Sequence, residues 1–265
     1  MSGSLKFKST AAPTQLSKMK AFILTLAITA ASAYTLPEWR VVNGTDAPLG
    51  KYPQLISLQN YNSHSCGGTI LNENFFMTAA HCVQTSTTYL KALAGTNALD
   101  QGGTLHQAVQ IITHEAYDPL NQWINDIAVV KVDPPFVFDE YTQAVVLPAQ
   151  DQESAAGSTG TLVGWGLSET GGLIMNIQQE VDLVVYSDEE CDAIHGGRPH
   201  PTNICAGVIG GGKGQCSGDS GGPLFVNGYQ AGIVSWSRKP CTIAPYPGVY
   251  TEVSPYVDWL LSKIN

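Results

Sequence analysis

Short runs of β-branched and aromatic residues, each closed by turn residues, recur from Gln54 to Val253, and they restrict the fold of this chain more than any other feature of its sequence. The runs are Gln54–Leu58, Phe75–Thr78, Ala108–Ile112, Ile127–Val132, Ala144–Leu147, Thr161–Val163, Val181–Val185, Leu224–Val226, Gly232–Trp236 and Val249–Val253. All are short for helices, and their spacing is that of an antiparallel all-β sandwich or barrel. Asn227-Gly228 lies between two of them and predicts a tight hairpin, because both residues tolerate positive φ. The 27 Gly and 15 Pro of the 265 residues, about 16% against a usual ~12%, supply the turns. Helical spacing is confined to the end, where Ser254-Pro255 offers a cap and first-turn proline and Val257, Leu260, Leu261 and Ile264 share a face.

The N-terminus reads as an export signal. Lys18 and Lys20 precede an apolar stretch, Ala21–Ala33, that is too short to cross the ~30 Å hydrocarbon of a bilayer and ends in Ala31-Ser32-Ala33. Residues 1–33 are therefore predicted to be a signal peptide, with Met19 as the biological start, and no membrane association is expected. Of 13 basic and 22 acidic residues, five and one lie in residues 1–40, so the remainder is strongly acidic. That charge favours solubility and speaks against nucleic-acid binding, which needs the opposite sign.

Export puts the six cysteines, Cys66, Cys82, Cys191, Cys205, Cys216 and Cys241, in an oxidising compartment, where three disulfides are the default. Fifteen pairings are open by sequence alone. A zinc site from Cys191, His195, His200 and Cys205 is the alternative, but their spacing fits no compact ligand pattern.

The chemistry concentrates at Gly218-Asp219-Ser220-Gly221-Gly222-Pro223, where glycines around a serine let the backbone turn sharply beside a ligand. The nucleophile elbow of α/β-hydrolases shares this G-x-S-x-G pattern, yet there the base histidine follows the serine, and here the last histidine is His200. The base must lie upstream. Thr78-Ala-Ala-His81-Cys82 supplies it, and Asn125-Asp126-Ile127-Ala128 places a carboxylate at the entry to an apolar run.

The order His81, Asp126, Ser220, with Cys66-Gly-Gly-Thr, Gly164-Trp165-Gly166, Asn203-Ile-Cys205-Ala-Gly, Ser235-Trp236 and Pro247-Gly-Val-Tyr250 in sequence, resembles the trypsin/chymotrypsin-like serine proteases from Val41 to Asn265. The resemblance implies an all-β fold of two antiparallel six-stranded β-barrels, about residues 41–146 and 147–254, followed by a C-terminal α-helix at 255–265. It implies a nucleophile Ser220, a base His81 oriented by Asp126, and an oxyanion hole from the amides of Gly218 and Ser220. It also implies the pairs Cys66–Cys82, Cys191–Cys205 and Cys216–Cys241. Trp39-Arg40-Val41-Val42-Asn43-Gly44 is similar to the family's activation junction, so residues 34–40 read as a propeptide cut after Arg40, freeing the Val41 ammonium to pair with Asp219.

By the same resemblance the specificity pocket is set by Gly214, Ser237 and Gly248. Gly214 stands where trypsins carry a floor aspartate, so an Arg or Lys of the substrate would be buried unpaired. Gly248 is expected to leave depth, and Ser237 to narrow the entrance. The expectation is a chymotrypsin-like preference for Phe, Tyr, Leu or Met, with an elastase-like preference for small residues as the alternative. No cofactor or metal is expected; the family's calcium loop carries glutamates, and Ala94–His106 has none. Asn43-Gly44-Thr45 is a formal glycosylation triplet. Expected partners are protein or peptide substrates, an activating trypsin-like protease and protein inhibitors, for a monomer secreted into an extracellular space such as the gut lumen. A digestive role is favoured over a regulatory cascade protease or a non-catalytic binding homologue, which would normally have lost a triad member.

Overall fold

The computed structural model describes residues 41–265 together with Ser4. The signal peptide, the start at Met19, the propeptide and Arg40 lie outside the described residues. Among those described, no helix is long and apolar enough to cross a membrane.

A two-residue strand β1 (Thr45–Asp46) precedes six strands: β2 (Leu55–Asn60), β3 (Ser63–Asn72), β4 (Phe75–Thr78), β5 (Leu90–Ala94), β6 (Thr104–Thr113) and β7 (Ala128–Asp133). These six close into an antiparallel barrel in the order β2-β3-β4-β7-β6-β5. The second half has β8 (Thr159–Gly164), β9 (Gln179–Val185), helix α1 (Asp188–His195), β10 (Asn203–Gly207), β11 (Pro223–Val226), β12 (Tyr229–Trp236), β13 (Gly248–Glu252) and the C-terminal helix α2 (Val257–Ile264). Its strands run β9-β10-β13-β12-β11-β8, and β8 pairs back onto β9 to close a second barrel.

Closure follows from the side-chain pattern. β9 alternates buried Val181, Leu183 and Val185 with outward Asp182 and Val184, so one face of the pleat fills the barrel. Ile56, Ile70, Phe76, Leu90 and Val130 fill the first barrel; Leu162, Ile204, Leu224, Val234 and Tyr250 fill the second. A third cluster, with Met77, Ile127, Val129, Ile233, Val253, Tyr256 and Leu260, joins both barrels to α2. Each such aliphatic or aromatic side chain contributes roughly 1.5–3 kcal/mol by leaving water.

The structure departs from the sequence expectations at four places. The segment from Val41 belongs to the second barrel, not the first: β1 pairs with β9, and Val41 is buried in the second core. Ala144–Leu147 is not a strand. It crosses between the barrels, where Val145 N donates to Ile70 O and Val146 O accepts from Gln230 N, so its apolar residues face two surfaces without a ladder partner. Helix α1 went unforeseen, although Ser187 and Glu190 form a complete capping box at its start. The final helix begins at Val257, after a single turn of 3-10 helix at Ser254–Tyr256. The Asn227-Gly228 hairpin joins β11 to β12 with φ of 49° and 86°.

Candidate active site

His81 follows β4 in a short helical turn whose flanking Ala79 and Ala80 are buried. Asp126 enters β7 from the inter-barrel core and is fully buried. Its Oδ1 accepts from the His81 backbone N–H at 2.9 Å, and its Oδ2 lies 2.7 Å from His81 Nδ1. Ser235 of β12 donates to the same Oδ2 at 2.6 Å, and Thr251 of β13 donates to the Asp126 carbonyl at 3.0 Å. The second barrel thus fixes the carboxylate of the first. With Nδ1–H committed to Asp126, the lone pair of His81 resides on Nε2, the nitrogen that can take up a proton.

The loop of Ser220, which belongs to the second half, is tied to the first barrel near the end that carries His81. The Ser220 carbonyl accepts from Gly67 N on β3 at 2.8 Å. The disulfide Cys66–Cys82 ties the neighbour of Gly67 to the neighbour of His81. Beside the serine, Gly221 has φ of 78°, and a Cβ there would lie 2.2 Å from Thr78 Oγ1 and 2.7 Å from Gly67 O. Only glycine lets this loop press so closely on the end of β4. The amides of Asp219, Gly221 and Gly222 donate to Cys216, Val234 and Asp219 carbonyls, whereas among the described residues those of Gly218 and Ser220 donate to none. Two free amides flanking a serine are suited to a developing oxyanion.

Asp219 is fully buried, its oxygens accepting from Gly166 N at 2.8 Å and Cys216 N at 2.9 Å. Burial pushes its carboxyl up to about 7, against the opposing pull of those two amides and of Lys239. Sequence reasoning passed over His64. Its Nδ1 meets Ser57 Oγ at 2.8 Å and its Nε2 meets Gly218 O at 2.9 Å, which holds the loop that carries the free amides. Desolvation pulls this imidazole down to about 4, so it stays neutral and donates from Nε2. A histidine inside a polar stretch of β3 gave no periodic signal.

The three pocket residues Gly214, Ser237 and Gly248 do line one cavity, but Gly248 does not leave it deep. A Cβ at Gly248 would lie 2.8 Å from both Cδ and Oε1 of Gln215, because the Gln215 side chain occupies the space that Gly248 vacates. Cys191 and Cys205 are joined, as are Cys216 and Cys241, which leaves the weighed zinc cluster without thiolates.

The trypsin family model matches residues 41–260. Trypsin alpha-4 of Lucilia cuprina is 35% identical over 258 residues, spanning 93% of this chain and 99% of its own length. Trypsin alpha of Drosophila melanogaster is 34% identical over 259 residues, with the same coverage. Trypsin-1 of Astacus astacus is 38% identical over 236 residues, covering 83% of this chain and 98% of its own length.

Proposed function

The chain belongs to the trypsin family of serine endopeptidases, and from that premise we propose that it is a secreted, chymotrypsin-like digestive protease made as a zymogen. The observation that carries the catalytic assignment is the buried Asp126, which grips His81 by both backbone and ring. Ser220 Oγ attacks the scissile carbonyl while His81 Nε2 accepts its proton. The oxyanion is met by the Gly218 and Ser220 amides, each worth about 3 kcal/mol in the transition state. His81 then protonates the leaving amine, and a water repeats the sequence to release the acyl group from Ser220. Asp126 keeps its negative charge throughout and stabilises the imidazolium.

Activation follows from Asp219. A buried carboxylate with amide partners only is the place where a new ammonium gains most, and cleavage after Arg40 creates one at Val41. Treatment with trypsin is expected to turn an inactive precursor into an enzyme whose N-terminus reads Val-Val-Asn-Gly. Full activity with residues 34–40 still attached would sink this reading.

For specificity, Gly214 at the floor offers no carboxylate to a substrate cation, and Lys213, on the same cavity wall, is of the wrong sign. The reading is a preference for large apolar residues before the scissile bond. The relatives' names favour a tryptic preference instead. Comparing kcat/KM across matched peptides that differ at that residue decides between them: Arg or Lys ranking first refutes the apolar pocket.

A further inference from the structure

The carboxamide of Gln215 is folded across the pocket. The residue is 4% exposed, and its Nε2 donates to the Trp236 carbonyl at 2.7 Å. That bond fixes the amide's orientation, since a flipped amide would set two oxygens against each other. Oε1 is consequently turned toward Gly248 and has no hydrogen-bond partner. The free cavity among Gly214, Gln215, Ser237 and Gly248 is about 10 Å³, room for one water at most. Gly214 and Gly248 are the two small residues that would make a deep slot, and a single neighbouring side chain fills what they leave open.

We propose that Gln215 is the residue that sets the length of side chain this protease accepts before the scissile bond, a selectivity that rests on the apolar reading of the pocket given above. Its carboxamide closes the space that Gly214 and Gly248 leave open, the space an aromatic ring would need. With about 10 Å³ free, any entering side chain shifts Gln215; Leu, shorter than a ring, asks for the least movement, and Met has enough torsional freedom to bend away from it. Phe and Tyr are rigid, and seating either one displaces Gln215 and breaks its bond to Trp236 O. The preferred substrates are therefore Leu and Met, with Phe and Tyr disfavoured. The pocket's walls and floor do not contain this information; it comes from one long polar side chain packed against a glycine.

The test is kcat/KM for peptides identical except for Ala, Leu, Met, Phe, Tyr, Arg or Lys at the position before the scissile bond, measured on the activated wild type and on Gln215→Ser. Active sites are titrated with a serine-directed phosphonate, so that misfolded molecules are not counted. The wild type is expected to turn over Leu and Met at least tenfold better than Phe and Tyr, and Gln215→Ser to raise the Phe-to-Leu ratio on the order of tenfold or more. Phe or Tyr equal to or above Leu in the wild type overturns the proposal without any variant. A Phe-to-Leu ratio that Gln215→Ser leaves within twofold overturns it as well. Arg or Lys ranking first in the wild type marks a different failure, that of the apolar reading itself.

Discussion

The two barrels have the same strand count, yet their unpartnered buried polar atoms are unevenly shared. In the first barrel buried polar atoms are paired: Thr78 Oγ1 with Gly67 O, Ser57 with His64, His106 with Pro134 O, and Asp126 with His81 and Ser235. Its single orphan among the described residues is Asn60 Oδ1. The second barrel and its loops hold the others: Gln179 Oε1, His195 Nδ1, Gln215 Oε1, Trp236 Nε1, Arg238 Nε and Tyr250 Oη. Asp219, buried with a raised carboxyl, belongs to the same half. An orphaned buried polar atom costs about 1–3 kcal/mol. The first barrel is thus nearly satisfied, while the second holds most of the unmet demand, with Gln215 at the pocket itself.

The largest expected effect tests whether the two halves act as one. Ser220→Ala in the second barrel and His81→Ala in the first are each expected to lower kcat by on the order of 10⁴-fold or more, with the double variant little worse than either. Additive losses would mean the barrels contribute separately, and labelling by an organophosphonate at a residue other than Ser220 would remove the assignment altogether.

A smaller effect, up to about 4 kcal/mol, is expected from Asp219 in the uncleaved precursor. Its folded pKa of about 7 lies above the ordinary 3.8, so the folded state holds the extra proton and stability falls as pH rises from about 4 to 7. Glu252, raised to about 7 mainly by burial and also by Asp188, acts in the same direction. Urea unfolding of the inert Ser220→Ala precursor at pH 5 and pH 8 measures this slope, and adding Asp219→Asn is expected to remove about half of it, the share of Glu252 remaining. An unchanged slope would show that the strain of the second half lies elsewhere.

The smallest effect sets paired against unpaired hydroxyls directly. Thr78→Val removes a satisfied bond and leaves Gly67 O wanting, at a cost of about 1–2 kcal/mol. Tyr250→Phe removes an orphan and is expected to fall within about 0.5 kcal/mol of wild type. Equal losses in urea unfolding would erase the distinction between the barrels.

What the sequence disclosed followed the same division. Strands with period-two burial such as Val181–Val185, and the Asn227-Gly228 hairpin, were readable because the pleat and positive φ impose residue types directly. β3 was not, since Ser63, His64, Ser65, Gly67 and Gly68 dilute its apolar face. Helix α1 spans eight residues, too few for periodicity to emerge, and only its capping box could have marked it. The residues proposed as the triad, His81, Asp126 and Ser220, stood out through their motifs. Gln215 did not, because its role depends on which way one flexible side chain folds, and that is decided by the distant Trp236 carbonyl and by the space beside Gly248.

The bond from Gly67 N to Ser220 O runs from one barrel to the loop of the other, so, with the triad proposed above, parting the barrels dismantles the catalytic centre in the same motion that bares the chain. A molecule caught open is food for its kin and harmless to them. Self-digestion then requires an encounter between one closed copy and one open copy, which makes its rate grow with the square of the enzyme concentration. Dilution should lengthen the half-life of the activated protease in proportion, whereas a half-life independent of concentration would mean that each molecule cuts itself.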